Sequence, residues 1–258
     1  MCLDDFARTV QFIRGVHDAI TTIRKHIDER PVRVLYAGCG PWAPLAIPLM
    51  SVLSSNDVRF TLLDIHRESI ESAKRLVEAF GFSNYVTTFE VADAATYQIG
   101  EPLPDLIVIE MLRTALQSEP QVAVATHLHR QAPNAMMVPE EVRVDLSLID
   151  NAREHTDVEA RDRIHIGTLL KLDRDTLGAC KFEPVTLTLP DFDQARYRPM
   201  FLTTIRVYDG HHLRDYDSGI TIPKRVNLRC GPGDQLEFRY EVSRDPGIAV
   251  RVIDAEVD

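Results

Sequence analysis

Two carboxylates, Glu110 and Glu119, stand nine positions apart directly after the apolar run Leu106–Ile109. Ile107, Val108 and Ile109 read as a buried parallel strand, so Glu110 falls where that strand ends. Ligands of open α/β sheets bind outside the carboxyl ends of the strands, and position alone makes Glu110 a site candidate. The same residue also fits the first turn of a helix over Leu112–Leu116. With 39 acidic against 29 basic residues and a net charge of -10, the chain would draw a cationic ligand toward an acidic pocket. A nucleic-acid polyanion is excluded on the same ground.

A second group of chemically suggestive residues lies upstream. The stretch Ala-Gly-Cys-Gly-Pro-Trp-Ala-Pro-Leu-Ala follows a strand expected over Val32–Ala37. Gly38 and Gly40 permit a sharp turn and a close ligand approach, and a helix starting near Ala43 would aim its N-terminal amides at that ligand. The third glycine of a dinucleotide fingerprint is absent, because Pro41 and Trp42 stand where small residues belong. Asp64 ends the next strand, Arg59–Leu63, ahead of a helix from about Ser69 to Phe80. It could accept both hydroxyls of a ribose or cap that helix. Asp93, after a strand over Val86–Val91, could reach an adenine amino group or simply form a turn.

These residues need elements to position them. Phe6, Val10, Ile13, Val16, Ile20 and Ile23 recur at helical spacing from Asp5 to about Ile27, with Asp4 or Asp5 able to cap the start and Pro31 beyond the end. Gly81 ends the helix after Asp64. Strands alternating with helices define an α/β chain with a Rossmann-like, doubly wound parallel sheet. A further helix over Val122–Leu128 and a turn at Ala132–Asn134 lead to Met136–Val138. Val142, Val144, Leu146 and Leu148 then alternate with polar residues, the period of a half-buried antiparallel strand. Phe182–Leu189, Phe201–Val207, Val226–Cys230, Gln235–Val242 and Ile248–Ile253 repeat that pattern, whereas Asn151–Arg163 reads as a solvated helix or loop. The expected organisation is an N-terminal helix over 1–30, a Rossmann-like domain over 31–138 and a β-barrel-like domain over 139–258.

The chain has 258 residues, 45% hydrophobic and 26% charged, enough for a large core. Cys2, Cys39, Cys180 and Cys230 are far apart with no Cys-x-x-Cys pair, so neither a metal site nor a disulfide framework is expected. Reduced thiols point to a cytoplasmic protein. Met1 to Asp18 carries Asp4, Asp5 and Arg14 and lacks the apolar core of a signal peptide, and the apolar runs are too short to span a bilayer.

In this order the features resemble class I S-adenosylmethionine-dependent methyltransferases, and among them the protein arginine methyltransferases. Val-Leu-Tyr-Ala-Gly-Cys-Gly resembles their first nucleotide-binding motif, and Glu110, eight residues, Glu119 has the spacing of their double-glutamate loop. Met136-Met137-Val138-Pro139 stands at the step that opens their β-barrel. The resemblance implies S-adenosyl-L-methionine as cofactor, held through Gly38, Gly40, Asp64 and Asp93. It also implies that Arg8, in the pattern Arg8-Thr9 followed by Phe12 and Arg14, binds the cofactor's carboxylate. Glu110 and Glu119 would then clamp a guanidinium, which is planar, protonated and a poor nucleophile, leaving one nitrogen aimed at the sulfonium methyl. Neither a metal nor a covalent intermediate is required.

Departures bear on the substrate. The family's Thr-His-Trp loop is missing, since Trp42 is the chain's one tryptophan. The nearest histidines, His211 and His212, are candidates to replace its substrate contact. The second domain leaves little room for the dimerisation arm behind the homodimer that the resemblance implies. The acceptor that the resemblance implies is a guanidino or amine nitrogen of a small molecule such as free arginine, or of a protein arginine. An O- or C-methyltransferase with His211 or His212 as base, and a cofactor-binding module without catalysis, are the alternatives.

Overall fold

A computed structural model describes residues 5–27, 29–155, 160–179 and 182–253. Asp4, Cys2 and Cys180 of the sequence reading lie outside them. The chain opens with helix α1 (Phe6–Arg24), whose Asp5 accepts from Arg8 N as N-cap. The alternating elements follow: β1 (Val32–Ala37), α2 (Ile47–Met50), β2 (Val58–Asp64), α3 (Arg67–Ala79), β3 (Val86–Val91), β4 (Leu106–Ile109), α4 (Gln121–Gln131) and β5 (Met136–Val138). The five strands form one parallel sheet in the order β3-β2-β1-β4-β5. Strand order reverses between β1 and β4, and outside that point the carboxyl ends leave a crevice. Ala37 is in register with Leu63 on one side and Ile109 on the other, so Gly38, Asp64 and Glu110 emerge at one level. All four residues of β4 are buried, as a central strand covered on both faces requires.

The second half contains β6 (Glu141–Asp150), α5 (Asn151–Glu154), β7 (Arg163–Asp173), α6 (Arg174–Ala179), β8 (Val185–Thr188), β9 (Tyr197–Tyr208), β10 (His211–Leu213), β11 (Lys224–Arg225), β12 (Gln235–Glu241) and β13 (Gly247–Ile253). Its strands make two antiparallel sheets, β10-β9-β6-β7 with β11 on β9, and β13-β12-β8. Phe201 of β9 and Phe238 of β12 meet edge to face, centroids 6.3 Å apart, and join the two cores. Helix α1 spans both halves. It buries Phe12, Val16, Ala19 and Ile20, and a Cβ at Gly15 would meet Val207 Cγ1 of β9 at 2.6 Å. Only a glycine lets the helix lie that close to the antiparallel sheet.

Three local expectations are corrected, and one unassigned stretch is a strand. No helix starts at Ala43, which adopts a left-handed φ of 40°; the short α2 begins at Ile47. Leu112–Leu116 is not an α-helix, since Thr114–Leu116 is a single 3-10 turn with Ala115 and Leu116 at positive φ. Val226–Cys230 is not a strand; the pairing with β9 ends at Arg225. Arg163–Asp173, unassigned in the sequence reading, is the eleven-residue β7. Its exposed His165, Thr168 and Lys171, together with the ion-paired Arg163 and the buried Asp173, dilute the apolar alternation.

One ion pair fixes the approach to β1 and β4. Arg30 donates from Nη1 and Nη2 to both oxygens of Asp105 at 2.6 and 2.8 Å, and Arg33 N donates to Oδ2 at 2.9 Å. Burial would raise the Asp105 carboxyl, but the Arg30 and Arg33 hydrogen bonds outweigh it and hold the pKa below 3.8. A depressed carboxylate pKa stabilises the fold above the unfolded-state pKa, and the contribution fades as pH falls through the folded value. Asp105→Asn should therefore lower stability by about 1–3 kcal/mol at neutral pH. In urea titrations the gap to wild type should shrink below about pH 4. A gap that persists unchanged into strong acid contradicts this role.

Candidate functional site

At the carboxyl edge of the parallel sheet a cleft of about 1070 Å³ is lined by Arg8, Gly38, Asp64, Asp93, Glu110 and Glu119. Six positions singled out in the sequence thus share one space. Gly40 serves it from behind: its N–H donates to Asp64 Oδ2 at 2.9 Å, while His66 N donates to Oδ1 at 2.9 Å. Each Asp64 oxygen keeps acceptor capacity toward the cleft. Gly38 is at φ 74°, and a Cβ there would strike Met111 Cε at 2.6 Å. Gly40, at φ 63°, has open space where its Cβ would be. Asp93 accepts from Ala95 N at 2.9 Å through Oδ1, which closes the turn and leaves Oδ2 for a ligand. Cys39 is buried against this turn; burial, then the nearby Asp64 charge, pushes its thiol pKa far up, so it is inert.

Arg8 lies on the first turn of α1, partly buried, with its guanidinium paired to Glu110 Oε1. Its Nη2 also donates to Leu112 O at 3.3 Å. The buried Glu110 is thereby neutralised, and its second oxygen remains available on the cleft side. Glu119 is half-buried and makes no hydrogen bond or ion pair among the described residues.

The loop joining the two glutamates is strained. Ala115, Leu116 and Ser118 have φ of 56°, 53° and 60°. Left-handed non-glycine residues are uncommon and persist where surroundings over-determine them. Both halves of the molecule do so here. Gln121 of α4 accepts from Met111 N at 3.0 Å and donates to Ile109 O at 3.2 Å. Thr203 of β9 accepts from Ala115 N at 2.9 Å, and Tyr240 of β12 donates to Leu116 O at 2.8 Å. Pro246 O accepts from Ser118 N at 2.8 Å.

The opposite wall is a segment that sequence reasoning passed over, Tyr216 to Ile220 with Ile222. Asp5 ties it to α1. Burial would raise the Asp5 carboxyl, but Ser218 Oγ (2.5 Å), Arg8 N (3.2 Å) and Gly219 N (2.9 Å) donate to it and keep its pKa low. Tyr216, at φ 66°, donates to Glu154 Oε1 at 2.8 Å; burial and that carboxylate push its phenol up to about 12. Arg163 bridges Glu154 and Asp215 behind it. The readable signal was the Ser218-x-x-Thr221 capping box, which marks an ordered turn.

His211 and His212, the sequence candidates in the same connection, are not brought to the cleft. Both lie on β10, and His211 Nε2 meets Asp18 Oδ2 of α1 at 2.8 Å, where Asp18 also bonds His17 at 2.9 Å. Among the described residues no group of His, Cys, Asp and Glu is placed to hold a metal, and no helix is long and apolar enough to cross a membrane.

No family model matches the chain, and no curated protein sequence does. The fold is nonetheless shared with a solved structure. It is the Trypanosoma brucei PRMT1 enzyme–prozyme heterotetrameric complex with AdoHcy, similar at TM-score 0.64 and 15% identity over 99% of this chain and 93% of that one. The likeness shows the fold, a Rossmann-like parallel sheet followed by antiparallel sheets.

The strained loop makes a pair of opposite expectations. Thr203→Val keeps volume but leaves the buried Ala115 N–H without its acceptor, and should cost about 1–3 kcal/mol. Ala115→Gly removes the left-handed penalty and should be neutral or stabilising by up to about 1 kcal/mol. Chemical denaturation of both variants checks this; a destabilised Ala115→Gly would contradict the strained geometry.

Proposed function

We propose that the protein is an S-adenosyl-L-methionine-dependent N-methyltransferase acting on a guanidino or amine nitrogen. The observation that carries the reading is the convergence of Arg8, Gly38, Asp64, Asp93, Glu110 and Glu119 on one cleft at the strand-order reversal. The fold likeness supports it, because the solved relative is a methyltransferase complex with AdoHcy. The residues fit such a cofactor. Gly38 lines the cleft with no Cβ, the remaining lone pairs of Asp64 suit a ribose diol, and Asp93 Oδ2 suits an exocyclic amine. Arg8 has five N–H donors in a fork, enough to keep Glu110 and also engage a carboxylate.

When bound, the cofactor supplies an electrophilic sulfonium methyl. The chain's own residues supply orientation. Glu110 and Glu119 accept N–H bonds from the acceptor head, draw its positive charge toward themselves and leave the remaining nitrogen facing the methyl. Most of the acceleration expected of such a site is positional, and the rigid loop suits that task. The nitrogen that gains the methyl loses one proton, and Glu119, unpaired and partly exposed, can accept it and pass it to solvent. The O- or C-transfer alternative called on His211 or His212 as base, and neither lines the cleft.

Glu119→Gln should reduce methyl transfer to guanidines by about 10²-fold or more. Cofactor affinity, read by calorimetry, should stay within about threefold. Glu110→Gln should lose transfer as well and weaken cofactor binding, since Arg8 loses the carboxylate that positions it. Turnover unchanged in both variants, followed with labelled cofactor on a panel of guanidines, amines and phenols, overturns this function.

A further inference from the structure

The cleft does not end at the glutamates. A second chamber of about 470 Å³ shares Arg113, Gly219, Ile220 and Ile222 with it and continues past Thr114, Gln117, Ser118, Pro223 and Lys224. Its charged lining residues are two cations, Arg113 and Lys224, and no carboxylate. That is unusual in a chain of net charge -10. Lys224 sits on β11 and is held toward the chamber by Gln117 of the strained loop. The Arg113 side chain is exposed and makes no hydrogen bond or ion pair among the described residues. The Ser118 hydroxyl, Thr114, whose own hydroxyl donates to Gly219 O at 3.3 Å, and the apolar wall of Ile220, Ile222 and Pro223 complete the chamber. Ser118 and Glu119 are neighbours in sequence, one facing each chamber, so the loop that presents the carboxylates also forms the cationic annex.

From this polarity we infer that the acceptor is a small amphoteric molecule. Its cationic nitrogen lies between Glu110 and Glu119, and a carboxylate at its other end is read by Arg113 and Lys224. A guanidinium fork meets a carboxylate through two parallel N–H bonds, and an ammonium adds a point charge beside it. An acceptor without the anionic end would leave both cations facing an unfilled chamber and lose their attraction. A chain-embedded arginine has amides where a free amino acid has its carboxylate, so it is disfavoured as well. This rests on the N-methyltransferase reading and narrows its substrate class.

The test uses matched acceptors with labelled S-adenosyl-L-methionine: L-arginine and 4-guanidinobutanoate, which carry the carboxylate, against agmatine and a Gly-Arg-Gly amide, which lack it. The carboxylates should be turned over with kcat/KM at least about tenfold higher. R113Q and K224Q should each reduce that preference about tenfold, through KM more than kcat. If agmatine or the peptide is used as well as L-arginine and the variants do not alter the ratio, the carboxylate annex is wrong while the methyltransferase reading stands. If no guanidine or amine is methylated although the cofactor binds, the methyltransferase reading fails and takes the annex with it.

Discussion

The site depends on one constraint, the fixed conformation of the ten residues from Glu110 to Glu119. Three left-handed non-glycine residues would not persist in an isolated loop. They are held because Gln121 satisfies the loop from the parallel sheet side, while Thr203, Tyr240 and Pro246 do so from the two antiparallel sheets. The glutamates therefore reach their positions only when both halves of the chain are assembled. Carboxylates presented by a mobile loop would hold a planar cation in many orientations, and the rate advantage of positioning would be lost.

Helix α1 extends the same dependence to the other side of the cleft. Its first turn supplies Arg8 to Glu110, and its cap residue Asp5 fastens the Ser218–Gly219 turn. Gly15 allows the helix to lie against β9, so the wall formed by Tyr216 to Ile222 is set by packing between α1 and the antiparallel sheet. Burial of Glu154 beneath Tyr216, with Arg163 pairing it and bridging on to Asp215, fixes that wall from below. Breaking such a buried network by removing one member is costly, which makes the wall rigid.

Legibility in the sequence followed the strength of the local signal. β1, β4 and β5 coincide with the stretches read from the residues, because strands of a parallel sheet need apolar runs bounded by turn formers, and the edge strand β3 does so through its β-branched Val-Thr-Thr start after Gly81. Gly38, Asp64, Asp93 and Glu110 follow strand ends and could be placed by that rule alone. Glu119 and Arg8 needed the family resemblance. What the sequence hid was set by distant contacts. The left-handed conformation of Ala115 and Leu116 replaces the helix that Leu112–Leu116 suggests, because their backbone groups are taken by Thr203 and Tyr240. β7 was obscured by its charged solvated face. The contribution of Tyr216 to Ile220 with Ile222 arises only from tertiary placement, and the two histidines four and five residues upstream of Tyr216 drew attention instead.

The central claim, that this cleft binds a nucleoside sulfonium cofactor across the strand-order reversal, is tested most directly by calorimetric titration of S-adenosyl-L-homocysteine. It should bind wild type at one saturable site per chain. Asp64→Ala, which removes the proposed acceptor of the ribose hydroxyls, should weaken binding by about tenfold or more. No binding to the folded wild type, or equal binding to both proteins, would contradict the account.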